Sequence, residues 1–89
     1  MDFGWDEEKA RSNLAKHGVS FAEATEVFGD GLSATVADPD RSQSEQRFLI
    51  FGQTLGGRHL VVAFAEGGGR IRLISARAMT RSERKVYEQ

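Results

Sequence analysis

The chain has 89 residues, with 12 Lys and Arg against 13 Asp and Glu, for a formal net charge of −1 at pH 7. That length holds one hydrophobic core, so residues 1–89 are expected to form a single domain, and 39% hydrophobic with 28% charged residues describes an ordinary soluble globular protein. There is no cysteine, which excludes disulfides, thiolate nucleophiles and zinc–sulfur sites together.

The N-terminal MDFGWDEEKA is acidic and lacks the apolar segment of a signal peptide. The longest uninterrupted apolar run, residues 60–65, is far too short to span a bilayer. A cytoplasmic protein without a membrane partner is expected. Asp6 then reads as the cap of a first helix, with Glu7 and Glu8 in its first turn and Lys16 and His17 in its last. Both ends suit the helix macrodipole, and Gly18 supplies a left-handed C-terminal cap. Ser20 and Glu23 have the spacing of a capping box for a second helix, whose apolar face is Phe21, Ala24, Val27 and Phe28 and which Gly29 ends.

Strands follow. Leu32, Ala34 and Val36 alternate, and Asp38-Pro39-Asp40 breaks the run. Residues 47–51 and 59–65 predict two further strands joined by a Gly-rich turn, and Gly67 to Gly69 turns the chain into a fourth strand over 70–76. Thr80 and Glu83 form another capping box and open a short C-terminal helix. The order ααββββα predicts an α+β fold: two N-terminal helices, a four-stranded, mainly antiparallel twisted sheet with helices over one face, and a short last helix.

The net charge hides an asymmetry. Residues 1–44 carry −5 and residues 45–89 carry +4, with Arg70, Arg72, Arg77, Arg81, Arg84 and Lys85 concentrated in the last strand and helix. Clustering of this kind points to a polyanion-facing surface, beside the plainer reading that arginines decorate exposed faces. No recognition helix with base-reading side chains accompanies it, so direct DNA binding is the weakest of the polyanion readings.

A polyanion surface that cut RNA without a metal would need a base for the 2′-OH, an acid for the departing 5′-oxygen and cations for the phosphorane. Arginine suits the last task because its planar fork grips phosphate bidentately and stays protonated. Arg72, Arg77 and Arg84 are the candidates. Strict alternation sends Arg72 and Arg77 to opposite sheet faces unless a bulge re-aims one of them, and Arg77, at the strand-to-helix junction, is favoured. Glu45, two residues from Arg47, is a candidate base with Arg47 holding substrate; the alternative is a surface ion pair. His17 titrates in the useful range but also explains itself as a helix-end cation. Tyr87 is a proton donor or base-stacking platform, or else the ring that docks the last helix. Trp5 reads as core before it reads as a stacking surface. Neither Asp38-Pro39-Asp40 nor the pair His17 and His59 makes a metal site, and no cofactor is expected.

Trp5-Asp6, Lys9-Ala10, Asn13, KHGVSF at 16–21, Ala24 and Val27-Phe28 form a pattern that continues through Glu45-x-Arg47, Gly52, IRLISAR at 71–77 and Glu83-Arg84-x-x-Tyr87. In these residues, spread in order over nearly the whole chain, the sequence resembles the BrnT family of bacterial toxins. The resemblance implies a RelE-like fold, ribonuclease activity that arrests translation, and a BrnA-like antitoxin with a ribbon-helix-helix DNA-binding domain, the operator DNA being reached only through that antitoxin. For that activity the residues themselves offer Arg77, Glu45, His17 and Tyr87 as catalytic candidates, and Arg47, Arg72, Arg84 and Lys16 as candidate contacts to RNA phosphates. The competing reading is a catalytically weak homologue acting chiefly as antitoxin-binding module and co-repressor.

Overall fold

The computed structural model describes residues 1–39 and 45–88; Asp40 of the expected Asp38-Pro39-Asp40 break lies outside them. The elements are β1 (Asp2–Gly4), α1 (Glu7–His17), α2 (Phe21–Ala24), a 3-10 turn (Thr25–Gly29), β2 (Ala34–Ala37), β3 (Arg47–Gln53), β4 (His59–Gly67), β5 (Arg70–Ala78) and α3 (Arg81–Tyr87). The strands form one sheet in the order β1-β5-β4-β3-β2. All neighbours are antiparallel except β1 and β5, which run parallel. The α+β fold expected from the sequence is the one observed, with a fifth strand added.

That strand, β1, has too few residues to alternate visibly. Its extended form comes from its neighbour: Phe3 lies opposite Ile71 in the ladder, and its ring meets Phe28 edge-on at 5.1 Å. The helices start and stop where their caps dictate. Asp6 accepts from the N–H groups of Glu8 and Lys9, and Gly18, at φ 68°, donates its N–H to the Leu14 carbonyl. At α2 only half of the expected capping box forms. Ser20 accepts from the Glu23 N–H, but the Glu23 carboxylate reaches across to Arg58 at 2.8 Å instead of back to Ser20. At α3 the box is complete, with Thr80 and Glu83 each satisfying the other's backbone N–H.

One sheet face carries the core. Ile50, Leu60, Val62, Phe64, Ile71, Leu73 and Ala76 pack against Val19, Phe21, Ala24 and Val27 from the helical layer. Trp5 joins this core edge-on to Phe21, with ring centroids 5.9 Å apart, so its packing reading is the one observed. The β4–β5 hairpin turns on Gly68 and Gly69, both at positive φ as a two-residue hairpin loop of matching twist requires.

β1 flanks only the first three residues of β5, which leaves the far half of that edge without a strand neighbour among the described residues. Asn13 of α1 takes the neighbour's place. Its amide nitrogen donates to the carbonyls of Ala76 at 2.9 Å and Val19 at 3.0 Å, and its oxygen accepts from the Ala76 N–H at 3.0 Å. One buried side chain thus ties the helix, the α1–α2 corner and the strand edge together.

Candidate active site on the open sheet face

The ladder between β4 and β5 slips at the centre of β5. Ala63 faces Ser75 while the next residue, Phe64, faces Leu73, so Ile74 is an extra residue in β5. Downstream of this bulge the inward set continues as Ala76, and Arg77 turns to the side opposite the helices. Arg72 faces Ala65 and Arg77 faces Val61, two residues on the same side of β4. Arg72 and Arg77 therefore share the open face, which corrects the expectation from strict alternation. Their rows are four residues apart on β4, about 13 Å along the strand, so they suit different phosphates of one strand rather than a single phosphate. Val61, Ala63 and Ala65 form the floor from one row to the other, small and closed from water.

At one end of this floor, Glu45 binds two arginines. Its carboxylate accepts from the Arg72 guanidinium and, at 3.5 Å, from Arg47. Glu45 precedes the start of β3, so it is the turn into the strand that brings it beside Arg47. The hydrogen bond from Arg72, with Arg47 in support, holds the Glu45 carboxyl below the ordinary carboxylate range despite some desolvation. The group is ionised, and it occupies the fork that a phosphate would take.

At the other end, Arg77 grips Glu83 of α3 with both terminal nitrogens, at 2.8 and 3.0 Å, and also donates to the Ala78 carbonyl. Arg77 pulls the Glu83 carboxyl from 4.5 down to about 2, helped by the Thr80 N–H, and Glu83 in turn raises Arg77. Arg84 is exposed on α3 and pairs with Glu88 at 3.4 Å.

Tyr87 docks α3 onto the sheet. Its ring stands edge-on to His59 with centroids 5.5 Å apart, and its hydroxyl donates to Asp30. Burial and the Asp30 carboxylate push the phenol up to about 12, which makes it a poor proton donor in this arrangement. Asp30 also accepts from the N–H groups of Leu32 and Gln53, at 2.9 and 2.8 Å, and its carboxyl is lowered chiefly by the Tyr87 hydroxyl. Gly52 permits this approach: a Cβ there would stand 3.2 Å from both Val27 and Ser33 and 3.3 Å from the Asp30 carboxylate. His59, nearly enclosed, has Nε2 at 3.1 Å from the Gln53 amide nitrogen and 3.5 Å from Glu88.

Of the residues singled out from sequence, Glu45, Arg47 and Arg72 meet at one end of the face and Arg77 and Tyr87 lie towards the other. Lys16 and His17 do not join either group. They line a shallow groove with Lys9, Ser12, Asn13, Ile74 and Ser75 between α1 and β5. Two polar residues that pattern reading passed over matter to the arrangement. Asp30 anchors α3 across 57 residues of sequence, and Glu83 holds Arg77 as well as capping its helix. Only the capping role of Glu83 has a local signal.

Fold and site together define a small α+β domain whose sheet face opposite α1 and α2 presents arginines already engaged by carboxylates. Comparison with known proteins agrees. The family model described as ribonuclease toxin, BrnT, of type II toxin–antitoxin system matches residues 5–83. Among solved structures, the ribonuclease toxin BrnT of Brucella abortus is similar, with 26% identity and a TM-score of 0.67, covering 91% of this chain and 99% of that one. The comparison with curated proteins gave no match. The chain belongs to the BrnT family of ribonuclease toxins of type II toxin–antitoxin systems.

Proposed function

We propose that this chain is a metal-independent endoribonuclease that arrests translation by cutting RNA on its open sheet face. The observation that carries the reading is the β5 bulge, which turns Arg77 onto the face of Arg72, Arg47 and Glu45. An incoming RNA strand displaces carboxylates from arginine forks: one phosphate takes Arg72 from Glu45, and a neighbouring one takes Arg77 from Glu83. Losing Arg72 lets the Glu45 carboxyl rise towards its ordinary range, where it is a better base for the 2′-OH. Arg77 then stabilises charge on the phosphorane through its fork. The 2′-oxygen forms its bond to phosphorus as the bond to the 5′-oxygen breaks, and the departing 5′-oxygen takes a proton from water, leaving a 2′,3′-cyclic phosphate and a 5′-hydroxyl. His17 and Lys16, in their separate groove, serve the helix end and the approach of RNA rather than the proton transfers.

The partner is an antitoxin of the BrnA-like ribbon-helix-helix kind, covering the arginine face with an acidic or amphipathic segment and carrying the operator DNA contact itself. The test is incubation of the purified protein with single-stranded RNA in excess EDTA. Cleavage by the folded protein that falls sharply in both Arg72→Ala and Arg77→Ala supports the reading. Undiminished cleavage by both variants removes the open face from it. A stable complex with the antitoxin in the absence of any cleavage favours the binding-module and co-repressor alternative, for which the pairing of each of these arginines with an internal carboxylate speaks.

A further inference from the structure

The groove between α1 and β5 is built around Asn13. Because Asn13 is buried against the β5 edge, the side chains one turn to either side of it on α1, Lys9 and Lys16, flank that same edge. His17 and Ser12 stand beside them. On the strand side the wall is the bulge itself, Ile74 and Ser75. Ser75 lies opposite Ala63, in the row midway between those of Arg72 and Arg77. β5 has no strand neighbour at this point among the described residues, so the groove reaches around the edge from the helical side to the open face.

Charge and size decide what the groove can hold. None of its lining residues carries a carboxylate. The side chains of Lys9, Lys16 and His17 make no hydrogen bond or ion pair among the described residues. The arginines of the open face differ: Glu45 holds Arg47 and Arg72, Glu83 holds Arg77, and Glu88 holds Arg84. An anion entering an arginine fork has to displace a carboxylate, whereas one entering the groove displaces none. At about 190 Å³ the groove falls below the roughly 300–1,000 Å³ of sites that enclose a small molecule. A nucleoside does not fit inside it. A phosphate gripped from one side by two flexible ammonium groups does.

We propose that this groove is a phosphodiester site that holds the RNA backbone beside the segment being cut, and that it takes hold before the arginine forks open. The strand leaves the open face over Ser75, and Lys9 and Lys16 take its flanking phosphates, with the His17 ring and the Ser12 hydroxyl as further donors. Contacts of this kind fix the position of the strand and carry no base preference. The place of the groove in the reaction rests on the ribonuclease reading, while the binding itself is measurable without cleavage.

The experiment measures binding of the intact protein to a single-stranded 2′-O-methyl RNA, which offers phosphates but no attacking hydroxyl, over a series of salt concentrations. Lys9→Ala combined with Lys16→Ala should weaken binding roughly tenfold in low salt, by the same factor for every base sequence. It should also flatten the log–log salt dependence by about 0.7 for each phosphate lost. Both positions are exposed on a helix that alanine suits, so the fold should persist. Arg11→Ala, which removes one charge from another side of α1, should leave the slope unchanged. On a cleavable strand the loss in the double variant should appear as a raised KM rather than a lowered kcat. Unchanged affinity and slope in the double variant reject the groove and leave the ribonuclease reading standing. Binding that depends on the two lysines, in a protein that cuts no RNA, overturns the ribonuclease reading and leaves the site standing. An Arg11→Ala effect half as large as that of the double variant shows a diffuse charge effect, and lost antitoxin binding with intact RNA binding gives the groove to the antitoxin. Either result overturns the proposal.

Discussion

Replacing Asn13 by alanine should be among the most damaging single changes in the helical layer, although it removes no apolar surface. The side chain is 7% exposed and satisfies three backbone groups: the Ala76 N–H, the Ala76 carbonyl and the Val19 carbonyl. Each buried polar group left without a partner costs about 1–3 kcal/mol. Carbonyls tolerate this better than N–H groups, so a total of about 3–5 kcal/mol is expected. A chain of this length has roughly 4–13 kcal/mol of stability in all, and each kcal/mol moves the melting temperature by about 4–8 °C. A fall of roughly 15 °C or more follows. Urea unfolding followed by Trp5 fluorescence gives the number directly, with an unchanged m-value showing that stability rather than compactness has changed. Asn13→Asp separates geometry from charge. It keeps an acceptor for the Ala76 N–H but turns an anionic oxygen on two carbonyls, so it should cost as much as alanine at neutral pH. It should recover part of the loss in mild acid, where a protonated carboxyl can donate to one of them. A cost below about 1 kcal/mol for Asn13→Ala would show that β5 does not depend on this bridge.

Other outcomes follow from the pairs on the open face. Arg77→Ala should lower RNA cleavage about 10²–10³-fold in a folded protein, and Arg77→Lys should restore only part of it, because a point charge lacks the fork; single-turnover rates on a defined RNA measure both. Because Glu83 titrates lower in the folded chain than in the unfolded one, its contribution to stability is complete above pH 4.5 and fades as the pH falls towards about 2. Glu83→Gln should therefore be less stable than the parent by about 1–2 kcal/mol near neutrality, after allowance for screening at a partly exposed pair, and the two denaturation curves should converge in strong acid. Tyr87→Phe keeps the ring on His59 and loses the bond to Asp30, which should cost about 1 kcal/mol and raise amide exchange in α3 before any other element.

Much of the fold is legible in the sequence because its signals are local. Asp6, Gly18, Ser20, Thr80 and Glu83 mark helix ends by their own side chains or backbone freedom, and the observed elements begin and end beside them. What is not legible depends on neighbours far along the chain. Asp2–Gly4 becomes a strand only because β5 lies next to it. The bulge hides in RIRLISARA, where Ile71, Leu73, Ser75 and Arg77 continue a regular alternation on paper. The one hint is that burying Ala76 rather than Ser75 makes better sense of the apolar set, and that choice requires an extra residue. The site inherits this ambiguity. The arginines themselves are conspicuous, but which face Arg77 occupies is decided by the bulge. Asp30 announces nothing in sequence; its surroundings come from the 3-10 turn and from α3.

The central claim is that this chain cuts RNA by attack of the 2′-OH on the adjacent phosphorus, with arginines in place of a metal. The most direct measurement is the chemistry of the cut ends after digestion of a defined single-stranded RNA in excess EDTA. The account predicts full activity under chelation, a 2′,3′-cyclic phosphate on one fragment and a 5′-hydroxyl on the other, and no cut at a 2′-deoxy-substituted position. Fragments bearing a 3′-hydroxyl and a 5′-phosphate, or activity that disappears with EDTA and returns with a divalent cation, would contradict it.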